Sequence, residues 1–196
     1  MTFNMPSNEQ LKSATPAELA QLAAECLAGL EPGRQPLPLF KELARLVVLS
    51  TVEIVPLRKS NDRFEVLLAN RPEDDIWWPN QLHLPGSVQM PMGDDEPFST
   101  DDYTTPVDRI LADDFGDSVT RIGDVKVFDV RRRHDVRGSE QTAFAWTQAD
   151  LASGAQKVKG GDFFDADIVM NDPDAFRLIE GHAEIIDKAL SDFRES

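Results

Sequence analysis

An α+β fold is predicted from two features of the sequence: strand-like segments outnumber helix-like ones, and the helix-like segments lie between and after the strands. The segment at 45–57 is rich in β-branched residues, and a polar turn at 60–62 joins it to a second strand at 64–69. Helices in this order are typical of a layered domain. Further strands are expected at 82–88, 119–130, 141–146 and 163–169. Helices are expected at 106–115, where Thr105-Pro106-Val107-Asp108 is a capping-type start, and at 173–193, capped by Asp172.

Residues 1–40 are predicted to be a tail and a helical extension, and residues 41–196 the main domain. Thr15-Pro16-Ala17-Glu18 combines an N-cap threonine, a proline at the first helical position and a glutamate two positions later, so a helix should start there. The stripe of apolar residues along this helix requires a partner surface, on the main domain or on a second subunit, and the second case predicts a homodimer. The stripe consists of Leu19, Leu22, Ala23, Cys26, Leu27 and Leu30.

The charge balance limits the classes of partner. Among 196 residues, 35 are acidic and 20 are basic, which gives a formal net charge of -15. Such a surface repels DNA, RNA and anionic lipids, so we expect no nucleic-acid partner and no membrane partner. An anionic small-molecule ligand would require a metal ion or a local cluster of arginines.

Cysteine usage and hydropathy predict a cytoplasmic protein. Cys26 is the single cysteine, so an internal disulfide is excluded. The sequence has neither a signal-peptide pattern nor an apolar run of about 18 residues. His83, His134 and His182 lack the spacing of zinc ligands, and His182 is expected on the exposed side of the last helix.

Three short motifs in the centre of the chain indicate its chemistry. Leu84-Pro85-Gly86-Ser87 is predicted as a strand and a turn, Gly93-Asp94 lies in an acidic loop, and residues 109–116 (RILADDFG) are predicted as a helix that ends in two carboxylates. With FEVLLANR at 64–71 and WWP at 77–79, this order of elements resembles the Nudix hydrolase family. The family signature is G-x5-E-x7-R-E-U-x-E-E-x-G-U, where U is a bulky aliphatic residue.

The predicted helix follows this signature in part. Asp113 and Asp114 stand where the family has its paired metal-binding glutamates, and Ile110 replaces the glutamate that follows the arginine. The isoleucine widens the apolar stripe on the helix. Three positions match the signature directly: Arg109, Leu111 and Gly116.

The segment before the helix departs further from the family. Gly86 matches the first glycine of the family's Pro-Gly-Gly turn, while Ser87 takes the place of the second. Gly93-Asp94 resembles the family's Gly-Glu, but 14 residues separate Asp94 from Arg109 where the signature has seven. An inserted loop is therefore expected before the helix.

The resemblance implies a Nudix-like α/β/α sandwich with a mixed β-sheet, preceded by the helical extension. It also implies a Mg²⁺- or Mn²⁺-dependent hydrolase of a nucleoside diphosphate linked to another moiety. Asp113 and Asp114 would be catalytic carboxylates and, with Asp94, metal ligands, and Arg109 would orient the acidic helix. A base in place of the missing glutamate could come from Asp94, Asp95, Glu96, Asp135 or Glu140.

Ile110 supports a second interpretation. A Nudix-fold protein without the third carboxylate would have lost catalysis and would bind a nucleotide-like ligand or a protein partner. Asp113 and Asp114 would then be only the solvated, acidic end of a helix.

Substrate-binding residues are expected at Arg71, Trp77, Gly86 and Ser87. Arg71 could pair with phosphate, or it could form a salt bridge with an acidic residue at 73–75. Trp77 and Trp78 could stack on a base, or one of them could belong to the core. The basic run at 131–134 could receive phosphates at a strand end, or it could form a charged turn that neighbouring acids neutralise.

Overall fold

The computed structural model describes residues 12–30, 36–89, 103–136 and 138–195. Contacts divide the chain into two units, residues 1–34 and residues 35–196. Most of the expected inserted loop, with Gly93, Asp94, Asp95 and Glu96, lies outside the described residues. Among the described helices, none has the length and apolar character needed to cross a membrane.

The first unit contains helix α1 (Pro16–Ala28), whose start confirms the predicted capping box. The Thr15 hydroxyl accepts a hydrogen bond from the Glu18 N–H at 3.3 Å, and the Glu18 carboxylate accepts one from the Thr15 N–H at 2.8 Å. The helix ends at Gly29. No residue of α1 is buried, and Leu19 and Leu27 keep 41% and 43% of their surface exposed.

The second unit contains a sheet and the remaining helices. Helix α2 lies across residue 41, so the domain boundary expected there stays a prediction. A 3-10 turn at Gly116–Ser118 follows helix α3. The elements in chain order are α2 (Leu37–Leu46), β1 (Val48–Ser60), β2 (Arg63–Asn70), β3 (Leu82–His83), β4 (Gly86–Val88), α3 (Thr104–Phe115), β5 (Val119–Arg121), β6 (Lys126–Asp135), β7 (Gly138–Leu151), β8 (Gly161–Asp165), α4 (Ala166–Asn171) and α5 (His182–Glu195).

The described strands form one mixed sheet with the central order β3-β2-β1-β7-β5. Strand β1 runs parallel to β7, and its pairing with β2 and β4 is antiparallel. Strand β6 joins β7, and β8 joins β2. The sheet therefore confirms the mixed topology that the resemblance implies.

Alternating side chains of β1 face two hydrophobic clusters on opposite sides of the sheet. Val52 and Ile54 pack in a cluster with residues of α3. Val55 and Leu57 pack in the other cluster, with residues of α5. Helices thus cover both faces, which gives the predicted α/β/α layers, and Glu53 lies on the α5 side by its position in the alternation.

Two helix starts predicted from capping patterns are wrong. Helix α3 begins at Thr104 after Tyr103, which forms no side-chain cap, and Asp108 binds Arg121 instead. The last helix begins at His182 rather than at residue 173. The Asp172 carboxylate accepts a hydrogen bond from the Ala175 N–H at 3.2 Å, but Arg177 has a positive φ of 50°, so this segment forms turns.

Several strand bounds also differ from the prediction. The strand expected at 163–169 stops at Asp165, because the Asp165 carboxylate accepts hydrogen bonds from the N–H groups of Asp167 and Ile168 and caps α4. The segment at 119–130 contains two strands, β5 and β6, and the segment at 82–88 contains β3 and β4. Residues 45–46 belong to α2.

Candidate functional site

The two aspartates at the end of helix α3 differ in their exposure to solvent. Asp113 is exposed and Asp114 is half-buried, in the last turn before Gly116. Ile110 is only 1% exposed and packs in the cluster beside β1, as its widened apolar stripe predicts. Position 110 therefore faces the hydrophobic interior, and the helix offers two carboxylates at its end.

Arg109 connects helix α3 to strand β4. Its guanidinium donates a hydrogen bond to the Val88 carbonyl at 3.2 Å and a longer one to the Ser87 hydroxyl at 3.5 Å. These contacts fix the middle of α3 against the strand. The catalytic role assigned to Arg109 stays a prediction.

The described side chains do not form a complete metal centre. Within the described part of the chain, no group of three or more His, Cys, Asp or Glu residues is arranged to hold a metal ion. Asp94, the third expected ligand, lies outside those residues. Asp113 and Asp114 alone leave most of an octahedral Mg²⁺ shell to water or phosphate, so we assign no reaction step to a metal.

A pocket opens between the sheet and the start of α5, and we call it the β1–α5 pocket. Three of the expected substrate-binding residues line it, namely Arg71, Gly86 and Ser87. Trp78 lines it in place of Trp77, which packs edge-on against Phe40 of α2 at 6.4 Å between ring centres. The other charged or titratable lining residues are Glu53, His83, Arg133 and His182.

Gly86 allows β4 to lie close to β1 at the wall of this pocket. A Cβ atom at position 86 would lie 2.7 Å from the Glu53 Cγ and 3.0 Å from the Val52 carbonyl oxygen. Only glycine fits this approach without displacement. The glycine that the family motif places in its turn therefore has a packing role beside Glu53.

Arg71 and Trp78 are held by a single carboxylate. Asp75 accepts hydrogen bonds from the N–H groups of Trp77 and Trp78 at 2.9 and 2.8 Å, and it lies 3.5 Å from the Arg71 guanidinium. Burial acts to raise the pKa of Asp75, but these hydrogen bonds and the arginine charge outweigh it and lower the pKa. Arg71 thus forms one of the salt bridges expected for it and also faces the pocket.

The basic run at 131–134 lies within strand β6, not in a turn, so its side chains alternate. Arg131 binds Asp129 and Glu184. Arg133, on the same face of the strand, binds Glu53 and lies 3.5 Å from Glu140. Arg132 and His134 are exposed. Neighbouring acids pair with this run, as one of the two interpretations expected.

Glu53 and His182 are functional candidates that the sequence did not reveal. Glu53 is 8% exposed, and its second carboxylate oxygen lies 3.5 Å from the Nε2 atom of His182. His182 is 4% exposed, which contradicts the expected exposed position. The signal for Glu53 was a lone carboxylate inside an apolar strand; His182 gave no comparable signal.

His83 contributes an uncharged imidazole to the pocket. Burial, followed by the charge of Arg71, lowers the pKa of His83 to about 3. Its Nδ1 lies 2.6 Å from the Leu84 carbonyl oxygen, which can only accept, so Nδ1 donates this hydrogen bond. The side chain is therefore neutral at physiological pH.

Two arginines line the β1–α5 pocket of this strongly negative chain, and both also form ion pairs. Arg71 and Arg133 contribute two cationic side chains, against the single carboxylate of Glu53. The whole chain carries a net charge of -15. The pocket thus contains a local pair of arginines, which is the kind of site that an anionic ligand would require in this chain.

Comparison with solved structures decides the fold. The chain superposes on the Nudix domain of NrtR from Shewanella oneidensis, solved with ADP ribose, with a TM-score of 0.52 and 15% identity over 96% of this chain and 99% of that one. It also resembles the Ap4A hydrolase of C. elegans, with a TM-score of 0.50 and 12% identity over 75% and 98% of the two chains. A Nudix hydrolase from Alicyclobacillus acidocaldarius gives a TM-score of 0.51 and 11% identity over 74% and 92%.

The chain has a Nudix fold. No family model matches the sequence, and no curated protein matches it either. At these identities the likeness establishes the fold alone.

Within this Nudix fold the expected site residues fall into two groups. Arg71, Gly86 and Ser87 line the β1–α5 pocket, whereas Arg109, Asp113 and Asp114 are not part of its lining. Arg109 joins the two groups, because it bonds to Ser87 from helix α3.

Proposed function

We propose that this Nudix-fold protein binds an anionic, diphosphate-containing nucleotide derivative in the β1–α5 pocket and does not hydrolyse it. The observation that carries the proposal is the pair of arginines, Arg71 and Arg133, which outnumber the lone carboxylate of the lining. A guanidinium binds phosphate oxygens through two parallel hydrogen bonds. Trp78 in the same wall offers an aromatic face for a base.

The state of helix α3 supports binding without hydrolysis. Ile110 occupies the position of a family carboxylate and is buried in an apolar cluster. The described residues contain no metal-capable group of three side chains. Within the described part of the chain, a diphosphate in the pocket would therefore meet arginines without the third carboxylate of the family's helix.

ADP-ribose is the first ligand to test, because the Nudix domain of NrtR was solved with it. Calorimetric titration with EDTA present would measure binding without metal. We expect binding by the native chain and an affinity about tenfold or more weaker in Arg71→Gln, because a hydrogen bond to a charged group contributes about 1.5–3 kcal/mol.

Arg132→Gln is the matched control for this titration, since Arg132 is an exposed arginine on β6. It changes the net charge equally but lies outside the pocket lining. Equal affinity in the native chain and in Arg71→Gln, or no binding of ADP-ribose by the native chain, would refute the proposed site.

A second candidate function is divalent-metal-dependent hydrolysis of the same ligand class. It is favoured by the two carboxylates at the end of α3, with Asp114 half-buried. Asp113 and Asp114 would then bind Mg²⁺ or Mn²⁺, an ion that in such sites activates water and neutralises phosphate charge. Phosphate or nucleotide release from a panel of nucleoside diphosphate derivatives distinguishes the two functions.

We expect no turnover by the native chain with either metal. Turnover that is lost in Asp113→Asn/Asp114→Asn but kept in Asp117→Asn would instead establish a hydrolase. Asp117 is a suitable control because it is an exposed aspartate three residues beyond Asp114.

A further inference from the structure

Glu53 has an unused hydrogen-bonding atom in the wall of the β1–α5 pocket. One carboxylate oxygen accepts a hydrogen bond from Arg133. The other oxygen, Oε2, is buried and has no hydrogen-bond partner within the described part of the chain. A buried carboxylate oxygen without a donor is costly, because it has lost its hydration. A ligand that supplies a donor here would remove this cost.

His182 places a donor beside that oxygen. The Leu84 N–H donates a hydrogen bond to Nδ1 of His182 at 3.1 Å, so Nδ1 must carry the lone pair. The proton of the neutral imidazole is then on Nε2, which lies 3.5 Å from the Glu53 Oε2. This separation is longer than a normal hydrogen bond, so His182 leaves the Glu53 oxygen without a donor.

An acceptor and a donor at this spacing match an alcohol. A hydroxyl group donates one hydrogen bond and accepts others, so one hydroxyl can bind Glu53 Oε2 and His182 Nε2 together. A cationic ligand fits less well, because Arg71 and Arg133 line the same pocket. A phosphate oxygen would be repelled by the Glu53 carboxylate.

We propose that Glu53 and His182 form a subsite for a secondary sugar hydroxyl, at C2 or C3, next to the phosphate-binding arginines. The ligand class is therefore a sugar phosphate or the sugar end of a sugar diphosphate. This inference depends on the proposed function for the anionic part of the ligand. It adds the residues that distinguish a sugar from a bare phosphate or diphosphate.

The arrangement is held by elements distant in sequence. Glu53 lies on β1, Arg133 on β6 and His182 is the first residue of α5. Glu140, which is 1% exposed and is not among the pocket-lining residues, lies 3.5 Å from Arg133. Arg133 is thus flanked by two carboxylates, and the Glu53 carboxylate stays in position beside His182.

Calorimetric titrations with ribose 5-phosphate, its 2-deoxy and 3-deoxy analogues and inorganic phosphate would test the subsite. We expect the native chain to bind ribose 5-phosphate about tenfold or more tightly than inorganic phosphate, with the advantage reduced in one of the deoxy analogues. One hydrogen bond to a charged group accounts for a difference of this size.

Two variants each change one half of the subsite. Glu53→Gln keeps the size of the side chain and removes its charge. His182→Asn keeps an acceptor for the Leu84 N–H and deletes the Nε2 donor. In both variants we expect the preference for ribose 5-phosphate over inorganic phosphate to disappear. The two affinities are compared as a ratio within each variant, because Glu53→Gln also removes the carboxylate that repels phosphate. Thermal unfolding of each variant checks that it is folded.

Glu65→Gln is the matched control. Glu65 is a half-buried glutamate that also binds an arginine, Arg58, but it lies outside the pocket lining. We expect it to keep the native preference. Equal binding of ribose 5-phosphate and both deoxy analogues, or a preference that survives in both folded Glu53→Gln and His182→Asn, would overturn the subsite. If ADP-ribose still binds in an Arg71-dependent way, the proposed function survives that result.

Discussion

Ile110 and Glu53 each lie where a residue of the other type would be expected. Ile110 stands where the family motif has a carboxylate, and it packs against β1 at 1% exposure. Glu53 stands in an apolar strand, and it faces the pocket. The spacing of apolar residues predicted the first role, because it depends only on the helix. The second depends on Arg133 and His182, whose positions no local pattern specifies.

The burial of Ile110 predicts the outcome of restoring the family residue. Ile110→Glu places a carboxylate in the apolar cluster, so we expect the free energy of unfolding to fall by more than about 3 kcal/mol. Ile110→Val should cost only about 0.5–1.5 kcal/mol. Urea unfolding compares the two. If Ile110→Glu proved as stable as Ile110→Val, position 110 would face solvent or a bound cation.

His83 predicts a pH dependence of stability. Its folded pKa is about 3, below the ordinary value of 6.5, chiefly because the side chain is buried. Between pH 3 and pH 6.5, His83 is therefore protonated in the unfolded chain and neutral in the folded chain. The contribution of His83 is complete above pH 6.5 and is lost as the pH falls towards 3, by about 1.4 kcal/mol per pH unit.

Urea unfolding of His83→Asn from pH 7 to pH 4 measures this contribution. Asparagine can still donate to the Leu84 carbonyl but does not titrate. We expect the variant to lose less stability on acidification than the native chain, whereas His134→Asn, an exposed histidine, should follow the native curve. Parallel curves for the native chain and His83→Asn would contradict the assignment.

At the scale of single elements, capping patterns predicted helix starts only where the cap had no competing partner. Thr15 and Glu18 bind each other on an exposed helix, and α1 starts where expected. Asp108 instead forms a two-point ion pair with Arg121, and α3 starts without a side-chain cap. The sequence could not show that competition, because Arg121 lies 13 residues later, on strand β5.

The close approach of β4 to β1 predicts the effect of filling position 86. Gly86→Ala would place a Cβ 2.7 Å from the Glu53 side chain. We expect a loss of about 1–3 kcal/mol of stability, typical of overpacking, and weaker ADP-ribose binding. Gly29→Ala serves as the control, since its Cβ would meet nothing nearer than 3.6 Å. Native stability and affinity in Gly86→Ala would show that β4 can move away freely.

At the scale of the whole molecule, the layers were predictable and the strand pairing was not. Segments rich in β-branched residues, together with polar turns, predicted strands, and the resemblance implied the α/β/α sandwich with its mixed sheet. The pairing of β1 with β7 joins Thr51 to Thr142, 91 residues apart. An apolar strand specifies which face it buries but not its partner, so the pocket between distant elements could not be assembled from the sequence.

The homodimer predicted from the apolar stripe of α1 stays a prediction. Leu19 and Leu27 of α1 are exposed. If a second copy covers this stripe, sedimentation velocity should show association that increases with concentration and is lost in Leu19→Ser/Leu27→Ser. Gln21→Ser, on the same helix, should leave association unchanged. A native chain that sediments as a monomer at all concentrations would exclude the dimer.

The parallel pairing of β1 with β7 also determines when the sheet can close. Strand β1 can bond to β2 as soon as both are synthesised, but its other edge waits until β7 has been made. Contacts between residues so distant in sequence slow folding. During that interval the segment Val48–Leu57 exposes a β-branched edge that can pair with another chain. Aggregation during synthesis is therefore expected to begin at β1.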